Sequence, residues 1–225
     1  MARDDWYRNP TWDPEIQARF TEKLRRARNK SQYLRIQAGY LVRSHPKTAL
    51  ALLDRYFALG DRFDKAEALL HQADAWLALG SVEQAIHSLQ QALQREKEYP
   101  NFKTQAWSRY ALLVAQEKLS DHYESALQVL QETAQDRSQA IALFPASAFC
   151  WQAAFALIAD AEGRSDQAQQ SAAKALEFAA IQNTGLRYHP TVGLVGDGYA
   201  DLRKELERLA RRRTSLLGRL WPRKP

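Results

Sequence analysis

The chain has 225 residues, 45% of them hydrophobic, which is enough to bury a substantial core, and its single cysteine, Cys150, excludes an internal disulfide. With 9 glycines, 8 prolines and few β-branched runs, the composition favours helix and offers no defensible period-two strand. The formal net charge of +6 is uneven: residues 203–225 carry +7, residues 1–35 carry +4 and the middle carries −5, so the basic character belongs to the two ends.

Residues 1–30 read as an arm and a capping helix. The N-terminus lacks the apolar core of a signal peptide. Trp6, Tyr7, Pro10, Trp12 and Pro14 suggest an extended segment laid on the body. Its aromatic residues have two readings, a staple on the first helices or a short motif that anchors a partner. Asp13-Pro14-Glu15 is a helix start, with Asp13 as N-cap and Pro14 in the first turn. The following helix presents Ile16, Phe20, Leu24 and Ala27 on one face and carries Arg25, Arg26, Arg28 and Lys30.

Residues 31–182 hold a helical-pair pattern in four copies. Each has an alanine near the start of its second helix: Ala49, Ala85, Ala126 and Ala168, at intervals of 36, 41 and 42 residues. Such periods mark stacked helical hairpins. The clearest copy runs from Asp64 to Lys97. Its first helix places Ala66, Leu69, Leu70, Ala73, Trp76 and Leu77 at spacings of three and four. Gly80 and Ser81 end it, and Ala85, Ile86, Leu89, Ala92 and Leu93 line the second helix. The first copy carries Tyr40, Ala49, Leu53 and Tyr56, with His45-Pro46 at its turn; the third is the weakest. Segments 101–105 and 134–147 are irregular or extend helices.

Residues 183–198, with four glycines and Pro190, read as a structured loop. Residues 199–225 form a basic helix and tail, with leucines from Leu202 to Leu220 on one side. The longest apolar stretch, 146–161, contains Gln152 and Asp160 and is too short to span a bilayer. A cytoplasmic, reducing location is the expectation.

The pattern Leu69, Ala73, Trp76, Gly80, Ala85, Leu89 and Ala92 resembles the tetratricopeptide repeat (TPR) family, and the chain is similar to small bacterial TPR-like proteins. The resemblance spans residues 31–181, with longer spacings in its second half than the family's roughly 34 residues. It implies an all-α fold: a right-handed solenoid of about four TPR-like hairpins with N- and C-terminal capping helices. It also implies a concave groove lined by Leu34, Ala38, Leu41, Leu70, Asp74, Leu77, Ala153, Leu157 and Asp160, suited to a peptide or helix of a partner protein.

Chemistry has less support. The histidines show no metal-ligand spacing and there is no paired cysteine, so no metal, cofactor or catalytic residue is expected. Cys150 sits in a buried-looking helix and reads as packing. Arg187, Tyr188 and His189 are the most enzyme-like cluster; they either converge on an anion or simply pin a loop. Arg211, Arg212, Arg213 and Arg219 offer contacts to a nucleic acid or another anionic surface. The expected function is a non-catalytic interaction adaptor; the alternative is a nucleic-acid-associated accessory protein acting through the tail.

Overall fold

The structure is a computed structural model describing residues 5–60, 63–136, 141 and 144–212. Every regular element among them is helical, with no strand. The chain forms two compact units, Met1–Trp107 and Ser108–Pro225. Their boundary falls inside helix α6 (Ala106–Gln116), within the segment that the sequence reads as one array.

The N-terminal unit contains α1 (Pro14–Arg26), α2 (Lys30–Leu41), α3 (Pro46–Ala58), α4 (Lys65–Ala78) and α5 (Val82–Glu98). Asp13 caps α1 as the sequence predicts: its carboxylate accepts the Ile16 amide at 2.8 Å, and Pro14 opens the first turn. The helix then buries Phe20 and Leu24. α2 packs on α3 and α4 on α5, and α3 and α4 join the two pairs. Phe20, Leu34, Leu41, Leu53 and Tyr56 share the core beneath the arm.

The second unit contains most of α6, then α7 (Tyr123–Asp136), α8 (Pro145–Ala161), α9 (Ser165–Ala179) and α10 (Ala200–Ala210). Tyr110 on α6 bonds Ser125 on α7 at 2.6 Å. Trp151 on α8 donates its indole N–H to the Leu130 carbonyl of α7 at 2.8 Å. α8 packs along α9, and α9 along α10 through Leu202, Leu206 and Leu209.

Three hairpins close with the same turn. Gly80, Lys118 and Gly163 take positive φ values of 74°, 53° and 75°. In each, the next amide reaches back to close the helix end: Ser81 to Trp76 at 2.9 Å, Leu119 to Val114 at 3.0 Å and Arg164 to Ala159 at 2.8 Å. This is the Schellman geometry, which satisfies carbonyls that a helix C-terminus leaves open. Glycine adopts it freely, whereas Lys118 does so against its Cβ. That residue makes the third copy hard to read in the sequence. A 3-10 turn at Ser120–His122 also separates α6 from α7, lengthening that copy.

Ala49, Ala85, Ala126 and Ala168 each occupy the fourth position of a second helix and are completely buried. A larger side chain there would overpack the hairpin by about 1–3 kcal/mol. The irregular 99–105 segment is held by Glu96, whose buried carboxylate accepts the Thr104 amide at 2.8 Å and its hydroxyl at 2.5 Å.

Candidate interaction surfaces

The first-helix face of the N-terminal unit rests on a close approach of α2 to α4. A Cβ on Gly39 would come within 2.8 Å of the His71 ring, so only glycine lets that ring lie against α2. Most of the residues predicted to line a groove lie beneath the surface instead. Leu34, Ala38, Leu41, Leu70, Ala153 and Leu157 are buried, because their helical spacing turns them into the core between helices. Asp74 and Asp160 are part-exposed, and Leu77 is exposed. Sequence reasoning did not count Tyr40 of α2 among the surface residues, yet it is 49% exposed.

The loop after α9 has an anchored base and an open tip. The Thr184 amide bonds the Pro190 carbonyl at 2.9 Å, and the Ala146 amide at the start of α8 bonds the Gly193 carbonyl at 2.8 Å. Gly193 sits at φ 76°, with the Phe144 ring where a Cβ would point. Arg187, Tyr188 and His189 are all exposed, Tyr188 at 77%. The Arg187 guanidinium lies 5.2 Å from the Tyr188 ring centre, so two of the three stack on each other over solvent. They do not line the open cavity of about 330 Å³ between α9 and α10, which is bordered by Leu176, Ala179, Arg203, Glu207 and Arg211.

The C-terminal arginines are partly engaged. Arg212 bonds the Asp160 carboxylate at 2.6 Å, and Gln169 donates to the carbonyls of Ala210 and Arg212 at 2.9 and 2.7 Å. Those contacts tie the end of α10 to α8 and α9. Arg212 and Asp160 thus face each other, although the sequence assigned one to an anionic partner and the other to a groove. Arg211 lies 3.7 Å from Glu207 and is largely exposed. Arg213 and Arg219 lie outside the described residues.

Cys150 is buried, and its thiol bonds the Tyr199 hydroxyl at 3.4 Å. Burial pushes the thiol up from its ordinary pKa, and burial together with the neighbouring Cys150 pushes the Tyr199 phenol up. Both therefore stay protonated at neutral pH, which suits packing rather than nucleophilic attack. Among the described residues, no three His, Cys, Asp or Glu side chains are placed to hold a metal ion. No described helix is long and apolar enough to cross a membrane.

Two aromatic features went unread in the sequence. Phe63 and Phe102 meet edge to face at 4.7 Å while both remain exposed, and the Arg95 guanidinium lies 3.4 Å above the Tyr99 ring. Each ring sits in a polar connection, where a lone aromatic beside charges was the available signal. No family model and no curated protein matches the chain.

Proposed function

We propose that the chain is a non-catalytic scaffold of TPR-like hairpins that binds a peptide or helix of a partner protein. The observation that carries this reading is the repeated hairpin turn. The same backbone closure at Gly80, Lys118 and Gly163, followed each time by a fully buried alanine, fits a chain of repeated helical hairpins. The docking face of this reading is the α2–α4 surface, where Tyr40 on α2 and Leu77 on α4 are exposed and Asp74 on α4 is part-exposed. Exposed aromatic residues such as Tyr40 are the commonest anchors of protein interfaces.

The test is affinity purification of the intact protein beside a Tyr40→Ala/Leu77→Ala variant, with nuclease present. A defined protein retained by the first and depleted at least tenfold on the second supports the scaffold, since losing two anchors costs on the order of 2 kcal/mol. A partner held equally by both, or lost on nuclease treatment, overturns the assignment of this face.

A further inference from the structure

One end of the N-terminal unit gathers exposed aromatic rings and cations. Helix direction decides which residues share that end. The short 42–45 turn sends α3 back along α2, and Gly80 and Ser81 send α5 back along α4. The α1–α2 turn, the α3–α4 connection and the segment after α5 therefore lie together. Two contacts fix this arrangement: Arg35 on α2 meets the Asp64 carboxylate before α4 at 3.0 Å, and the Phe63 ring meets Phe102 at 4.7 Å.

The rings keep part of their surface open to solvent. Phe63 is 66% exposed and Phe102 42%, and Tyr99 stands beside them with the Arg95 guanidinium over its ring. At the same end stand Arg28 in the α1–α2 turn, Lys30 at the start of α2, Arg55 in the last turn of α3 and Lys65 at the start of α4. All four are exposed and form no ion pair among the described residues. Among the described residues, the nearby carboxylates are largely engaged. Glu22 faces both Arg25 and Arg26, Asp64 is held by Arg35 and Glu98 by Arg95, while Asp54 stands exposed beside Arg55.

We propose that this end binds single-stranded nucleic acid. Phosphates pair with Arg28, Lys30, Arg55 and Lys65, and unpaired bases stack on Phe63, Phe102 and Tyr99. A strand with open bases uses both features, because every base has a flat face for a ring and every linkage a charge for a cation. An acidic peptide would use the cations and leave the rings in water, and a duplex hides the faces of its bases. This surface is separate from Tyr40 and Leu77, so it stands or falls independently of the docking face.

The test is fluorescence anisotropy of the full-length chain with labelled oligouridine and oligothymidine of about 15 nucleotides. A duplex of equal length and a labelled polyglutamate peptide serve as comparators, over a salt series. Single strands are expected to bind best, with either sugar supporting the proposal and the tighter one naming the ligand. Phe63→Leu/Phe102→Leu, which keeps apolar bulk, should weaken binding about tenfold or more, and Phe63→Tyr/Phe102→Tyr should restore it. Arg28→Gln/Lys30→Gln should lower the slope of log affinity against log salt by about 1.4. The exposed positions leave the unfolding midpoint as a check that each variant is folded. Undiminished binding by the leucine variant would assign the binding to the basic tail and overturn the proposal. Equal affinity for duplex or polyglutamate, or no binding at low salt, would overturn it as well.

Discussion

The arm at residues 5–13 and the loop at residues 183–196 are both non-helical, and both carry aromatic residues, yet one is packed and the other presented. In the arm, the Trp6 ring lies 5.3 Å from Phe20 and 4.9 Å from Tyr33, and Trp12 lies 5.4 Å from Phe20. Gln37, fully buried on α2, accepts the Asn9 amide at 3.1 Å and donates to the Asn9 carbonyl at 2.8 Å. The loop is tied at its base through Thr184 and Gly193, and among the described residues the partner of the Tyr188 ring is the guanidinium of Arg187. An aromatic residue in a connection becomes structural when the helices below supply both an apolar floor and a polar partner for its backbone. The staple reading of Trp6, Tyr7 and Trp12 fits the arm on both counts.

Breaking the arm's polar partner should have the largest effect. Gln37→Ala strips the Asn9 backbone of its bonds and leaves a void in the core. Unsatisfied groups cost about 1–3 kcal/mol, and the void adds to that, for a total of about 3 kcal/mol. Urea unfolding followed by tryptophan fluorescence measures it, and protease should reach the arm faster. An unchanged midpoint would mean that the rings alone hold the arm.

The loop's base offers a smaller perturbation. Gly193→Ala forces a Cβ into the left-handed region and against the Phe144 ring, 2.4 Å from its nearest carbon. The expected loss is about 1–2 kcal/mol, confined to the loop and the first turn of α8. Hydrogen exchange at the Ala146 amide reads it directly. If exchange there is unaffected, the base is not anchored and the contrast with the arm disappears.

What the sequence disclosed follows the same division. The α1 cap, the Gly80–Ser81 turn and the buried alanines were legible because each is decided within a few residues: a carboxylate before a proline, a glycine at a helix end, a small residue at a fixed register. Segment 101–105 was legible as either irregular or an extension of a helix, and its anchoring was not legible, because Glu96 looks like any surface helix charge until Thr104 is folded over it. Gln37 was hidden for the same reason, its partner lying 28 residues away. Leu34, Ala38 and Leu41, read as groove lining, are buried, because spacing identifies an apolar face without saying whether a partner or the protein's own helices cover it. Arg212 was read as free because Asp160 is 52 residues distant in sequence.

The smallest effect sharpens the comparison most. Tyr188→Ala removes a large ring, and a ring of that size in a core would cost several kcal/mol. Here it stands in water, and its one described partner, Arg187, is itself exposed. The loop's bonds run through backbone atoms and the Asn183 and Thr184 side chains, none of which the substitution touches. The expected change in unfolding free energy is therefore under about 0.5 kcal/mol. A tyrosine kept in water at no gain to stability is free to serve a contact. A measured loss above about 1 kcal/mol would show instead that the ring packs in solution as Trp6 does, and that the two segments differ in degree alone.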